Sequence, residues 1–121
     1  MSETRPLFSQ SMHIKTKRHF QYIFGSARCL ENAFVRIYMA ECFHGVPKFA
    51  FVAGKRLGNA VVRNSCKRRL KEIVRGYHGA FTSNLDIVFV AKPSLYRESF
   101  QQVNKQLCSL LKKVSLMEKK L

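Results

Sequence analysis

Eight of the chain's 22 basic residues fall between Lys55 and Arg75, namely Lys55, Arg56, Arg63, Lys67, Arg68, Arg69, Lys71 and Arg75. Glu72 is the one acid among them. On a helix, Arg63, Lys67, Lys71 and Arg75 stack as like charges four residues apart, and each such pair costs about 0.2–0.5 kcal/mol in isolation. A merely solvated helix face mixes Glu with Lys and escapes that cost. This one does not, which points to a polyanionic partner. The chemistry on offer is phosphate binding. Asn64 adds an amide beside the cations. Lys55 and Arg56 stand just before Gly58-Asn59, where glycine lets the backbone turn closely and a helix start adds its own preference for anions.

A second pattern interleaves rings with cations. Phe20 and Phe24 lie close to Lys15, Lys17 and Arg18, and Phe34, Arg36 and Tyr38 share one side of a strand pattern. A groove for single-stranded nucleic acid needs both residue types: bases stack on rings for about 1–3 kcal/mol each while cations follow the phosphates. The residues alone leave a second use open, since Phe20 and Phe24 would also serve as core. Tyr38 is the better stacking candidate, because Arg36 beside it resists full burial.

The patterns of protein catalysis are missing. The chain has no G-x-S-x-G, H-E-x-x-H, Walker loop or G-x-G-x-x-G, and its 7 acids are too dispersed for a two-metal nuclease cluster. Cys29, Cys42, Cys66 and Cys108 form no C-x-x-C pair, and His13, His19, His44 and His78 are equally scattered. Zinc-ligand spacing is therefore absent, and the cysteines read as buried thiols.

The elements that must position these residues follow from periodicity. Thr16 caps a short helix from Lys17 to about Phe24, with Phe20, Ile23 and Phe24 on one face, and Gly25-Ser26 ends it. A short strand near Arg28–Leu30 precedes one from Phe34 to about Phe43, with Val35, Ile37 and Met39 on the side opposite Phe34, Arg36 and Tyr38. His44-Gly45-Val46-Pro47 is a hairpin connection to a strand over Phe49–Ala53. Asn59 caps a helix from Ala60 to about Gly76. There Val62, Cys66, Leu70, Ile73 and Val74 form the apolar face, and Asn64, Lys67, Arg68, Lys71 and Arg75 project from the opposite side. After a loop from Gly79 to Asn84, Leu85–Ala91 is a nearly all-apolar interior strand. Pro93-Ser94 starts a final helix with a stripe of Phe100, Val103, Leu107, Leu110 and Val114. The sum is a two-layer α+β domain.

At 121 residues the chain makes one domain, and its 46% hydrophobic and 12% aromatic content is too high for a disordered basic tail. The net charge of +15 again asks for a polyanion, nucleic acid or an anionic surface. No apolar run approaches the roughly 20 residues needed to span a bilayer. Met1-Ser2-Glu3-Thr4-Arg5-Pro6 lacks the apolar core of a secretory signal, so a cytoplasmic protein is expected. Residues 1–13 read as a flexible tail, 14–117 as the folded domain and 118–121 as a second tail.

The run Phe51-Val52-Ala53-Gly54-Lys55-Arg56-Leu57-Gly58-Asn59-Ala60-Val61-Val62-Arg63-Asn64-Ser65-Cys66-Lys67-Arg68-Arg69-Leu70-Lys71-Glu72 resembles the signature of the bacterial ribonuclease P protein component. That signature is a strand, a basic pair, Gly-Asn-Ala-Val and a helix beginning Arg-Asn-Arg-x-Lys-Arg. His19-Phe20-Gln21-Tyr22-Ile23-Phe24 is similar to the family's first helix, and Asp86–Pro93 to its last strand, so the likeness runs from about Ile14 to Leu116. It implies an αβββαβα two-layer α/β sandwich with a left-handed βαβ crossover. It also implies a role: with a catalytic RNA subunit, the protein helps remove the 5′ leader of precursor tRNA, while the RNA and its Mg²⁺ ions perform the hydrolysis. No protein catalytic residue, no metal held by the protein, no membrane and a monomeric free protein are expected. By position, Arg63, Asn64, Lys67, Arg68 and Lys71 would dock on the RNA subunit. Phe20, Phe24 and Tyr38 would receive the leader, with Lys55, Arg56 and Lys92 lining the same region. Ser65 departs from the motif's second arginine, and Arg69 would compensate only in part. A ribosome-associated or other structural RNA-binding protein is the alternative that shares charge and size, although it has no need of this run in this order.

Overall fold

A computed structural model describes residues 14–25, 28–41, 48–76 and 85–119, with side chains as far as Val114. The N-terminal tail, the His44–Pro47 connection and the Gly79–Asn84 loop expected from the sequence lie outside the described residues. Helix α1 spans Lys17–Phe24, strand β1 Arg28–Glu31, β2 Val35–Glu41 and β3 Phe49–Val52. A single 3-10 turn, Lys55–Leu57, leads into α2, Ala60–Gly76. Strand β4 spans Leu85–Ala91, followed by α3, Ser94–Arg97, and α4, Phe100–Lys119.

The strand order is β1-β2-β4-β3. β1 and β4 run antiparallel to β2, while β3 runs parallel to β4 and reaches it through α2. This is the βαβ unit for which the family likeness implies the left-handed turn. β4 lies between two strands and under both layers. Leu85, Ile87, Val88 and Phe89 are fully buried or nearly so, which is why its sequence is an apolar run rather than an alternation.

The main core fills one face of the sheet. Val35, Ile37 and Met39 of β2 and Ile87 and Phe89 of β4 pack against Cys66, Leu70, Ile73 and Val74 of α2 and Val103, Leu107 and Leu111 of α4. Truncating a fully buried side chain here, such as Ile87, to alanine costs roughly 2–5 kcal/mol. The other face is covered only in part: Ile23 of α1 and Ile14 close over Ala40 and Val88. The uncovered remainder carries the site.

Four sequence expectations are corrected. The final helix is two helices, because Glu98 takes an extended conformation (φ −88°, ψ 157°) and Ser99 restarts the turn. Ser99 Oγ accepts from Gln102 N at 3.2 Å, the N-cap half of a Ser-x-x-Gln capping box. Helix α4 then runs to Lys119, into the stretch expected as a tail. Phe34 lies with the main core rather than beside Arg36 and Tyr38. Alternation does not reach it, since Asn32 Oδ1 accepts from Phe34 N at 2.8 Å and Val35 N at 3.0 Å and the strand begins only at Val35. Of the cysteines expected to be buried, Cys66 is, Cys29 is exposed and Cys108 is half-buried, while Cys42 lies outside the described residues.

Candidate nucleic-acid interface

Helix α1 begins where Thr16 Oγ1 accepts from His19 N at 3.1 Å, which satisfies one of the free N–H groups of the first turn. Ile23 takes the buried position, Phe20 is half-buried, and Phe24 is left 42% exposed. The helix thus divides the two uses that its rings left open: Ile23 is core, and Phe24 presents its ring. Phe20 and Phe24 stack at 6.1 Å between centroids, and Phe24 meets Tyr38 edge-on at 4.8 Å. Three rings therefore form a line from α1 onto β2.

Concave surface flanks that line at both ends. A cavity of about 400 Å³ is lined by Phe24, Tyr38, Arg36, Arg56 and Lys92. A second, of about 200 Å³, is lined by Phe20, Phe49, Phe51, Lys67 and Lys71. Gly58 shapes the approach to the first: its φ of 144° suits glycine, and a Cβ there would meet Val62 at 3.2 Å. The turn it allows holds Arg56 in the cavity wall, whereas Lys55 is exposed and lines neither cavity.

Helix α2 distributes its cations in three directions rather than one. Asn64 and Arg68 are exposed on the outer side. Lys67 and Lys71, expected to project with them, are half-buried and turn toward the smaller cavity, with Lys71 Nζ 6.0 Å from the Phe51 ring centroid. The apolar face is narrower than half the wheel, so residues at its margin lie along the β3 edge. Arg63 shares that flank, and its Nε is buried without a hydrogen-bond partner. Arg69 turns the other way: its Nη1 donates to Leu95 O at 2.9 Å and to Glu98 O at 2.8 Å.

The model of one family, described as ribonuclease P, matches residues 8–115. The chain belongs to the ribonuclease P protein family. It is similar to the ribonuclease P protein component of Syntrophomonas wolfei, with 33% identity over 91% of this chain and 92% of the relative. Among solved structures it is similar to the ribonuclease P protein of Thermotoga maritima, with a TM-score of 0.73 and 27% identity over 84% of this chain and 96% of that one. The ribonuclease P protein of Staphylococcus aureus shares the fold, with a TM-score of 0.75 and 24% identity over 85% of this chain and 94% of that one.

Within this ribonuclease P fold, Ser65 is half-buried on α2, one turn before Arg69. Arg69, the neighbour expected to compensate for it, is committed to closing the C-terminal end of α3 and is not free to do so. Sequence reasoning missed two arrangements. His19 Nε2 and Asp86 Oδ2 meet at 2.5 Å in a buried pair, and Asp86 Oδ1 accepts from Lys48 N at 3.0 Å. The signal was Asp86 itself, since a carboxylate in an interior apolar strand must have partners. The other is Glu31, which pairs with Arg36 and with Lys92. Among the described residues no group of three or more His, Cys, Asp or Glu could hold a metal ion, and no helix is long and apolar enough to cross a membrane.

Proposed function

We propose that the chain is the protein subunit of ribonuclease P, binding the catalytic RNA subunit and the 5′ leader of precursor tRNA and assisting endonucleolytic removal of the leader. The observation that carries this is the line Phe20–Phe24–Tyr38 on a concave sheet face, with Lys67 and Lys71 at one end and Arg36, Arg56 and Lys92 at the other. Unpaired bases stack on such rings while their phosphates meet the cations, and the leader is the segment of the substrate that offers unpaired bases. Asn64 and Arg68 on the outer side of α2, with Arg63 on the adjoining flank, are the groups proposed to dock on the RNA subunit. The half-buried Lys67 and Lys71 stand where the two RNA surfaces would meet.

The Mg²⁺ ions and the hydrolysis are assigned to the RNA subunit, as the family likeness implies. The protein's part is to hold the leader extended, with its backbone charge neutralised. The test is reconstitution. Purified chain added to a bacterial ribonuclease P RNA should restore 5′ cleavage of precursor tRNA at low Mg²⁺, and the chain alone should leave the substrate intact. No restoration, with comparable binding to any structured RNA, would favour the ribosome-associated alternative.

A further inference from the structure

One acid sits among the cations of the larger cavity. Glu31 ends β1 and stands directly across the strand pair from Arg36. Its Oε1 accepts from Arg36 Nε and Nη2, each at 3.1 Å, and lies 2.6 Å from Lys92 Nζ. Arg36 Nη1 donates to the Tyr38 hydroxyl at 3.3 Å, and Lys92 Nζ donates also to Asn32 O at 2.7 Å. One carboxylate oxygen thus takes an arginine fork and an ammonium together, which is the set of donors that a phosphate oxygen takes in nucleic-acid complexes. Lys92 first and Arg36 second hold the Glu31 carboxyl below the usual carboxylate range, so it is ionised at neutral pH.

Its position is also easy to vacate. The Glu31 side chain is 45% exposed and that of Arg36 43%. Exposed pairs of this kind are weak and exchange readily with solvent and other ions. With only 7 acids in the chain, an acid placed on two of the cations beside the ring line reduces the positive potential where the proposed ligand needs it.

We propose that Glu31 is an internal competitor of the leader: its carboxylate occupies the place at Arg36 and Lys92 that a backbone phosphate takes on binding, and so sets the affinity threshold for leader-bearing RNA. This rests on the leader-cleft assignment above. The exchange is one anion for another. The carboxylate swings into solvent, the phosphate accepts from the same nitrogens, and no proton or covalent bond changes hands. Weak or misplaced polyanions fail to displace it, whereas a leader whose bases are stacked on Phe24 and Tyr38 presents its phosphate at high local concentration and succeeds.

The experiment compares wild type, Glu31→Gln and Glu31→Asp, each reconstituted with a bacterial ribonuclease P RNA, for binding of precursor and mature tRNA across a salt series. Glu31→Gln keeps the hydrogen-bond geometry and removes the charge. It should bind precursor roughly two- to tenfold tighter at low salt. Its log–log salt slope should steepen by up to about 0.7, and mature tRNA binding should not change. Glu31→Asp, which keeps the charge but shortens the reach, should fall between. Thermal melting of each free protein checks that the variants fold alike. Equal or weaker precursor binding by a normally folded Glu31→Gln, with wild type still preferring precursor over mature tRNA, overturns the competitor and leaves the cleft standing. Wild type that binds both RNAs equally overturns the cleft and the competitor with it.

Discussion

Phe24 is exposed on a helix that had an apolar face available to bury it, and its ring is held between Phe20 and Tyr38 instead. The ring is 42% open to solvent and its remaining contacts are with Phe20 and Tyr38, so Phe24→Ala is expected to lower stability modestly, by about 0.5–1.5 kcal/mol, without unfolding the protein. Binding of precursor tRNA should fall by about 1–3 kcal/mol for each stacked base lost, with mature tRNA unaffected. Parallel titrations of the two RNAs check this, and equal losses would place the ring outside the leader path. Ser65 invites the opposite change. It lies half-buried beside Arg69, which is tied to α3 and cannot swing into its place. Ser65→Arg should tighten RNA-subunit binding through one charge-assisted contact, about 1.5–3 kcal/mol gross and less after rotamer entropy and repulsion from Arg68. Titration at two salt concentrations would read the gain. None at low salt means that no phosphate lies opposite.

Helix α1 spans only eight residues, too few to be stable in isolation, so tertiary contacts must hold it. Ile23 supplies apolar contact, and the His19–Asp86 pair pins the helix across β4. Asp86→Ala removes the carboxylate from His19 and from Lys48 N together. It should cost about 3–5 kcal/mol in urea denaturation, while Asp86→Asn, which retains an acceptor, should cost less. Much of this layout is legible in the sequence because local rules govern it: the Thr16 and Asn59 caps, the apolar run of β4 and the buried face of α2 all lie where periodicity and capping put them. The break at Glu98–Ser99 was written in Ser99 and Gln102, but an apolar stripe starting at Phe100 reads equally well as one continuous helix. Glu31 and Arg36 meet across a hairpin within one short stretch, but Lys92 comes from a distant one. Its arrival depends on strand order, which spacing along the chain does not encode.

For the molecule as a whole, a charge of +15 is useful only if it is divided between surfaces. The half-buried Lys67 faces the cleft and Arg68 the outside, so single charge reversals should separate two RNA contacts that a double variant would merge. Lys67→Glu should chiefly weaken precursor binding and lower its salt slope by about 0.7, as for single strands. Arg68→Glu should weaken RNA-subunit binding and lower that slope by up to about 0.9, as for duplex phosphates. Identical effects of the two variants on both RNAs would mean that α2 acts as one undivided basic face. The strand order has a further consequence, in time rather than space. Among the described residues β4 is the one strand that pairs with β3, and its last residue, Ala91, comes after the whole length of α2 in the chain. During synthesis the basic helix therefore leaves the ribosome before the sheet that mounts it can close, and the nascent chain carries its phosphate-binding residues unmounted beside ribosomal RNA. Stalled chains that end before Leu85 should be cut readily by protease. Resistance should appear only once Ala91 has cleared the exit tunnel, when the last strand to be made becomes the centre of the sheet.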